Sequence, residues 1–218
     1  TRLSQPVDLL LLDGDSRLWV ASPQSNAVVR FERQADGLLA HQGYFEQGGP
    51  DGAGGTLDGL AGVRSIALRH DGALVALSRS ASDHALTLFD RPADEVIEAR
   101  ALIRDGDLVG TPAATVAGLA DADRIVVDGV RGVIYAAASD EVSGQRTVAA
   151  LVEDPDRNEM QYLGLFAGGD VLERAAEIAQ SRGRIGRGAP ISTPGGGGRG
   201  VVPPGPAARP RARHRRYR

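Results

Sequence analysis

An all-β fold of repeated four-stranded units, an incomplete β-propeller, is what this sequence predicts, on three observations. Leu60 to Ile66 (LAGVRSI), Leu119 to Ile125 (LADADRI) and Leu172 to Ile178 (LERAAEI) each set a leucine six residues before an isoleucine. The first two are followed by the same sequence of short apolar runs and turns. The repeated isoleucines lie 59 and then 53 residues apart, a little above the roughly 40 to 50 residues of common blade families. A unit of this size cannot bury a core alone and has to stack on its neighbours.

The elements follow in order. The first unit has Leu9 to Leu12 as its opening strand, an Asp13-Gly14 turn, then strands at Arg17 to Ala21, Ala27 to Phe31 and Leu38 to Phe45. The second opens at Ser65 to Leu68, turns at His70, Asp71 and Gly72, returns at Ala73 to Leu77, and continues with Leu86 to Phe89 and Val96 to Ile103. The third has Arg124 to Val127, a turn from Asp128 to Gly132, Val133 to Ala137, Arg146 to Leu151 and Met160 to Phe166. Short apolar runs bounded by Gly, Asp and Asn read as strands joined by hairpins, and groups of four read as blades. Gly-rich connectors, Gly48 to Gly55 and Asp105 to Gly118, separate the units.

The blades are placed at about 7–48, 63–104 and 124–168 within a body of 1–179, with a fourth beginning at 170–179. There the pattern breaks. From Gln180 to Arg218 the chain has no acidic residue and is rich in Arg, Gly and Pro, a composition that predicts a disordered basic tail. Because the change falls three residues into a repeat's first strand, a displaced reading frame near codon 180 is the favoured explanation, with a genuine tail as the alternative. Locally, Asp170 and Glu173 also form a capping box for a helix through Ile178.

Charge divides the chain at the same place. All 28 acidic residues lie at or before Glu177 and 10 of the 25 basic residues lie after it, so the body carries −13 and the tail +10. Lysine is absent, which removes phosphate-loop, Schiff-base and lysine general-base chemistry. The absence of cysteine removes disulfides, thiolate nucleophiles and cysteine-held metals. No apolar run approaches the ~20 residues of a membrane-spanning helix.

The stretch Leu57 to Arg91, LDGLAGVRSIALRHDGALVALSRSASDHALTLFDR, resembles the repeat of lactonase-like (YVTN-type) seven-bladed β-propellers. Those blades read as a Gly-Leu lead-in, a strand, a Pro-Asp-Gly turn, a tyrosine-containing strand, a polar loop and a strand ending in phenylalanine. The likeness runs from about residue 7 to residue 179, weakening from the second blade to the first and then the third. His70 stands where the turn proline is usual, and the third blade has lost the tidy Asp-Gly hairpin, its turn running from Asp128 to Gly132. The resemblance implies a propeller, read here as a partial chain, and a secreted or cell-surface setting. Its members include sugar-lactone hydrolases of the 6-phosphogluconolactonase kind and many proteins without known activity.

No catalytic set emerges from the residues themselves, and no cofactor or metal is expected. The Gly195 to Gly200 run satisfies G-x-G-x-x-G but lacks a strand-to-helix crossover. Ser82, Asp83 and His84 are consecutive and cannot converge as a triad. Asp154, Asp156 and Asn158 begin a calcium-loop pattern that Glu159 and Leu165 break. Acidic residues of the connectors, Asp51, Asp58, Asp105 and Asp107, could hold Ca²⁺, though no spacing singles them out. The ligand-binding candidates are Arg64 and Arg124, beside equivalent innermost strands, with His70 and Asp123, for an anion at the channel mouth. The arginine tail invites nucleic acid, but a body at −13 opposes it. The reading is a binding or scaffold module for a small-molecule or protein ligand, with lactone hydrolysis as the alternative. Open blade edges are expected to favour self-association.

Overall fold

A computed structural model describes residues 2–12, 14–52, 54–81, 84–93, 96–139, 146–154, 157 and 159–167. The fourth-unit start at 170–179 and the tail at 180–218 lie outside the described residues. Three four-stranded antiparallel sheets follow one another along the chain, each in sequence order from strand to strand. Blade 1 comprises β1 (Asp8–Leu12), β2 (Arg17–Ser22), β3 (Ala27–Arg33) and β4 (Leu39–Glu46). Blade 2 comprises β5 (Val63–Leu68), β6 (Leu74–Arg79), β7 (His84–Ala93) and β8 (Val96–Arg104). A two-stranded hairpin, β9 (Leu108–Val109) with β10 (Ala114–Thr115), occupies the second connector. Blade 3 comprises β11 (Ala122–Val127), β12 (Val133–Ser139), β13 (Arg146–Asp154) and β14 (Glu159–Ala167). All twelve expected blade strands are present, and the connector hairpin is additional.

Pairing sets the repeat register. Leu9 faces Val20, Ile66 faces Ala76 and Ile125 faces Ala136 across the first hairpins. One residue earlier, Asp8, Ser65 and Arg124 therefore occupy equivalent positions, opposite Ala21, Leu77 and Ala137. The innermost strands of blades 2 and 3 bulge immediately before this point, leaving Arg64 and Asp123 as the inserted residues. A bulge bends its strand and re-aims the extra side chain.

Side chains alternate between the two faces of a strand, and here each face meets a different blade. On β6, Leu74 and Ala76 join Trp19, Ala21, Val28 and Phe45 of blade 1 in one apolar cluster. Val75 and Leu77 join Ile134, Ala136, Ala149 and Leu151 of blade 3 in another. Blade 2 is thus buried on both sides, which is why its second strand is an almost unbroken apolar run. Fully burying a side chain such as Phe89 or Leu74 is worth about 1.5–3 kcal/mol, so these two clusters hold the blades together.

The turns are local. Gly72 closes the β5–β6 hairpin at φ +86°, the left-handed region that favours glycine, with its N–H donating to the Arg69 carbonyl at 3.0 Å. Blade 3 closes in the same way, with Gly132 at φ +68° donating its N–H to the Asp128 carbonyl at 2.8 Å, while Asp128 Oδ1 accepts the Val130 and Arg131 N–H groups.

Each blade has one innermost and one outermost strand, β1 and β4, β5 and β8, and β11 and β14.

Candidate binding site at the channel end of the blades

The innermost strands converge at their N-terminal ends. The Asp8 carboxylate accepts the Ser65 hydroxyl at 2.7 Å and the Ile66 N–H at 2.9 Å. Ser65 Oγ in turn accepts the Ile125 N–H at 3.2 Å. The side chain at this position in one blade receives the following N–H of the next blade, at both junctions. Arg124, at the same position in blade 3, is a donor and closes back onto Asp8 at 3.1 Å. Ser65 is buried and fully committed to these bonds, so it is a structural pin and no nucleophile.

Beside this ring stand the two bulge residues. Arg64 is exposed and Asp123 half-buried, and neither side chain is bonded to another among the described residues. The structure therefore brings Arg64, Asp123 and Arg124 to the same end of adjacent innermost strands. His70 is elsewhere. It sits in the turn at the far end of β5, six residues from Arg64, or roughly 15–20 Å at strand rise, next to Gly132 of blade 3.

Near that far end lies a charge cluster absent from the sequence reading. Arg69, on the β5–β6 turn, and Arg100, the bulge residue of β8, both bind the Glu153 carboxylate of β13. Arg69 also pairs with Asp71 at 3.0 Å, and Arg100 with Asp71 at 3.3 Å and Asp90 at 3.2 Å. The side chains of Arg69 and Glu153 are only 7% and 6% exposed, so this is a buried latch between blades 2 and 3. For Asp71, burial acts to raise the carboxyl pKa, but the Ala73 N–H and the Arg69 and Arg100 guanidiniums outweigh it and hold the group below its ordinary range. For Arg100, burial works against the charge, yet Glu153 and Asp90 raise its pKa. At the equivalent place in blade 2, Arg91 instead lies over the Trp19 ring of blade 1, 4.8 Å from its centre. An acid inside an apolar strand, Glu153, was the available signal for the latch.

The connector acids are engaged in local bonds. Asp58 takes the Gln47 amide first, then, against a burial penalty, the Gly59 N–H and Arg104, and its pKa falls. Asp105 accepts the Leu119 N–H at 2.8 Å and Asp107 the Arg104 N–H at 2.7 Å. Asp51 accepts the Gly55 N–H. Gln47 Oε1 receives the Leu60 N–H as Asp105 receives that of Leu119, which ties each lead-in to the end of the preceding blade, and the leucine recurs because both side chains are fully buried. Among the described residues no group of three or more His, Cys, Asp or Glu is arranged to hold a metal ion. His84 contacts the Ser80 carbonyl at 2.9 Å, while Ser82, Asp83, Asp156, Asn158 and residues 195–200 lie outside the described residues. No helix among the described residues is long and apolar enough to cross a membrane.

No family model matches the chain, and no curated protein matches it. Solved structures do. A functionally unknown protein from Desulfotomaculum acetoxidans is 17% identical at a TM-score of 0.50, over 76% of this chain and 43% of that one. Two proteins described as "putative 6-phosphogluconolactonase" also match. The one from Bacteroides uniformis is 12% identical at 0.52, over 75% and 41% of the two chains. The one from Bacteroides fragilis is 14% identical at 0.50, over 76% and 42%. The chain spans less than half the length of each. Identity this low carries fold alone, and on that level the chain has the fold of the lactonase-like β-propellers, contributing three consecutive blades.

Proposed function

We propose that the chain is a ligand-binding propeller module whose ligand is a small anion held at the channel end of the innermost strands. The observation that carries this is Arg64, an exposed guanidinium placed by a bulge, with no carboxylate bound to it among the described residues. Arg124, paired with Asp8 at 3.1 Å, adds a second guanidinium that is itself 60% exposed. Two guanidiniums at one mouth suit a carboxylate or phosphate, which they can grip bidentately. Calorimetric titration with gluconate and with inorganic phosphate tests it. Saturable binding that Arg64→Ala weakens at least tenfold is expected, and absence of binding by the unaltered protein at millimolar ligand would overturn the proposal.

A second reading, lactone hydrolysis, is favoured by Asp123 at the bulge equivalent to Arg64. Asp123 would take a proton from water as the oxygen attacks the lactone carbonyl carbon, while Arg64 stabilises the oxyanion. The ring C–O bond then breaks and the leaving alkoxide takes that proton, giving the open hydroxy acid. Turnover of glucono-lactone that disappears in Asp123→Asn would support it. The family resemblance also favours a secreted or cell-surface setting, which fractionation of the source cells addresses.

A further inference from the structure

Equivalent bulges in adjacent blades set opposite charges at one mouth. Val63 pairs with Ser78 and Ser65 with Leu77, which makes Arg64 the extra residue of β5. Ala122 pairs with Ala138 and Arg124 with Ala137, which makes Asp123 the extra residue of β11. The two strands meet at this level, because Ser65 Oγ accepts the Ile125 N–H at 3.2 Å. A bulge re-aims its extra side chain, so one junction is flanked by a cation from blade 2 and an anion from blade 3. Among the described residues these two side chains bind neither each other nor any third group.

The neighbouring pair, Arg124 with Asp8 at 3.1 Å, completes the mouth, and its aspartate is already committed to the Ser65 hydroxyl and the Ile66 N–H. Two arginines and two aspartates leave the mouth electrically neutral. A ligand that is only an anion is attracted by Arg64 and repelled by Asp123, and it leaves that half-buried carboxylate beside a like charge. A ligand that also carries an ammonium group satisfies both. Hydrogen bonds between ionised partners are roughly twice as strong as neutral ones, so Asp123 favours an ammonium over a hydroxyl. Direct pairing of Arg64 with Asp123 is a weak competitor, because exposed ion pairs contribute little.

We propose that this mouth selects zwitterions: its ligand is an amino acid, with the carboxylate on Arg64 and Arg124 and the ammonium on Asp123. The proposal rests on the anion-binding reading of the same site and adds the cation that the ligand must carry. Asp123 is then the residue that sets specificity, holding the ammonium and turning away simple acids.

The test is calorimetric titration of the full chain with four acids on one three-carbon skeleton: alanine, β-alanine, lactate and propionate. The first two differ in how far the ammonium stands from the carboxylate. Whichever amino acid fits is expected to bind about 10- to 100-fold more tightly than propionate, and more tightly than lactate. Asp123→Asn should lower the affinity for that amino acid at least tenfold and raise that for propionate, since the repelling charge is gone. Circular dichroism shows whether the variant is folded, and Asp123→Ser decides if the asparagine form is not. Propionate binding as tightly as both amino acids, or a preference that survives the loss of Asp123, would overturn the proposal and leave the anion-binding reading standing. No binding of any of the four at millimolar concentration would overturn both.

Discussion

Replacing Glu153 by glutamine keeps its shape and removes the charge on which Arg69 and Arg100 converge. Breaking a buried ion pair by taking away one partner costs about 3–5 kcal/mol. Arg69 retains Asp71 at 3.0 Å, and Arg100 retains Asp71 at 3.3 Å and Asp90 at 3.2 Å, so the low end applies, about 3 kcal/mol. For a domain of this size that is a fall in Tm of roughly 6–12 °C. Urea unfolding followed by two probes gives a sharper readout. Far-UV circular dichroism sees every blade, whereas the single tryptophan, Trp19, reports the blade 1–blade 2 cluster beside Phe45 and Arg91. Since Glu153 ties blade 3 to blade 2, the dichroism transition should move to lower urea and separate from the Trp19 transition. Restoring an apolar junction with Arg69→Met and Glu153→Leu together should recover most of the loss, because a buried pair is commonly replaceable by apolar residues of similar volume. Coincident transitions, or a Glu153→Gln cost below about 1 kcal/mol, would refute the latch.

Further expectations concern the ring, the connectors, pH and the reading frame. Ser65→Ala should cost about 1–3 kcal/mol in urea melts, since the Ile125 N–H loses its acceptor in a buried setting. Gly59→Ala should be worse than Gly72→Ala: both have positive φ, but a Cβ at Gly59 would stand 1.9 Å from Thr87 Oγ1, while none of the neighbours of Gly72 lies within 4 Å. Comparing the two melting temperatures separates steric from conformational cost. Asp71 has a folded pKa below its unfolded value of about 3.9. Its contribution is therefore present above that value and lost as the pH falls through the folded pKa. Unfolding midpoints should drop more between pH 4.5 and 2.5 in the unaltered protein than in Asp71→Asn, and equal drops would contradict the assignment. If the reading frame is displaced near codon 180, translating the encoding DNA in another frame should show a turn, a strand, a polar loop and a strand ending in an aromatic residue within about 50 residues; their absence from both alternatives makes the tail genuine.

Local chemistry was enough to locate the strands. Apolar runs such as Leu74 to Leu77 and the Gly and Asp turns between them specify strand and hairpin within a few residues, so the twelve blade strands and their sequential pairing were legible before any fold was known. The β9–β10 hairpin was not, because strands of two residues have no periodicity to read. Register across blades is a different matter. Asp8, Ser65 and Arg124 lie 57 and 59 residues apart, and which of them meet depends on bulges at Arg64 and Asp123 that leave no compositional mark. For the same reason Arg64 and His70 are close in sequence yet at opposite ends of β5, since an extended strand carries neighbours apart at about 3.3 Å per residue. The buried Arg69–Glu153 pair spans 84 residues, and only the packing of one blade on the next brings those charges out of water together.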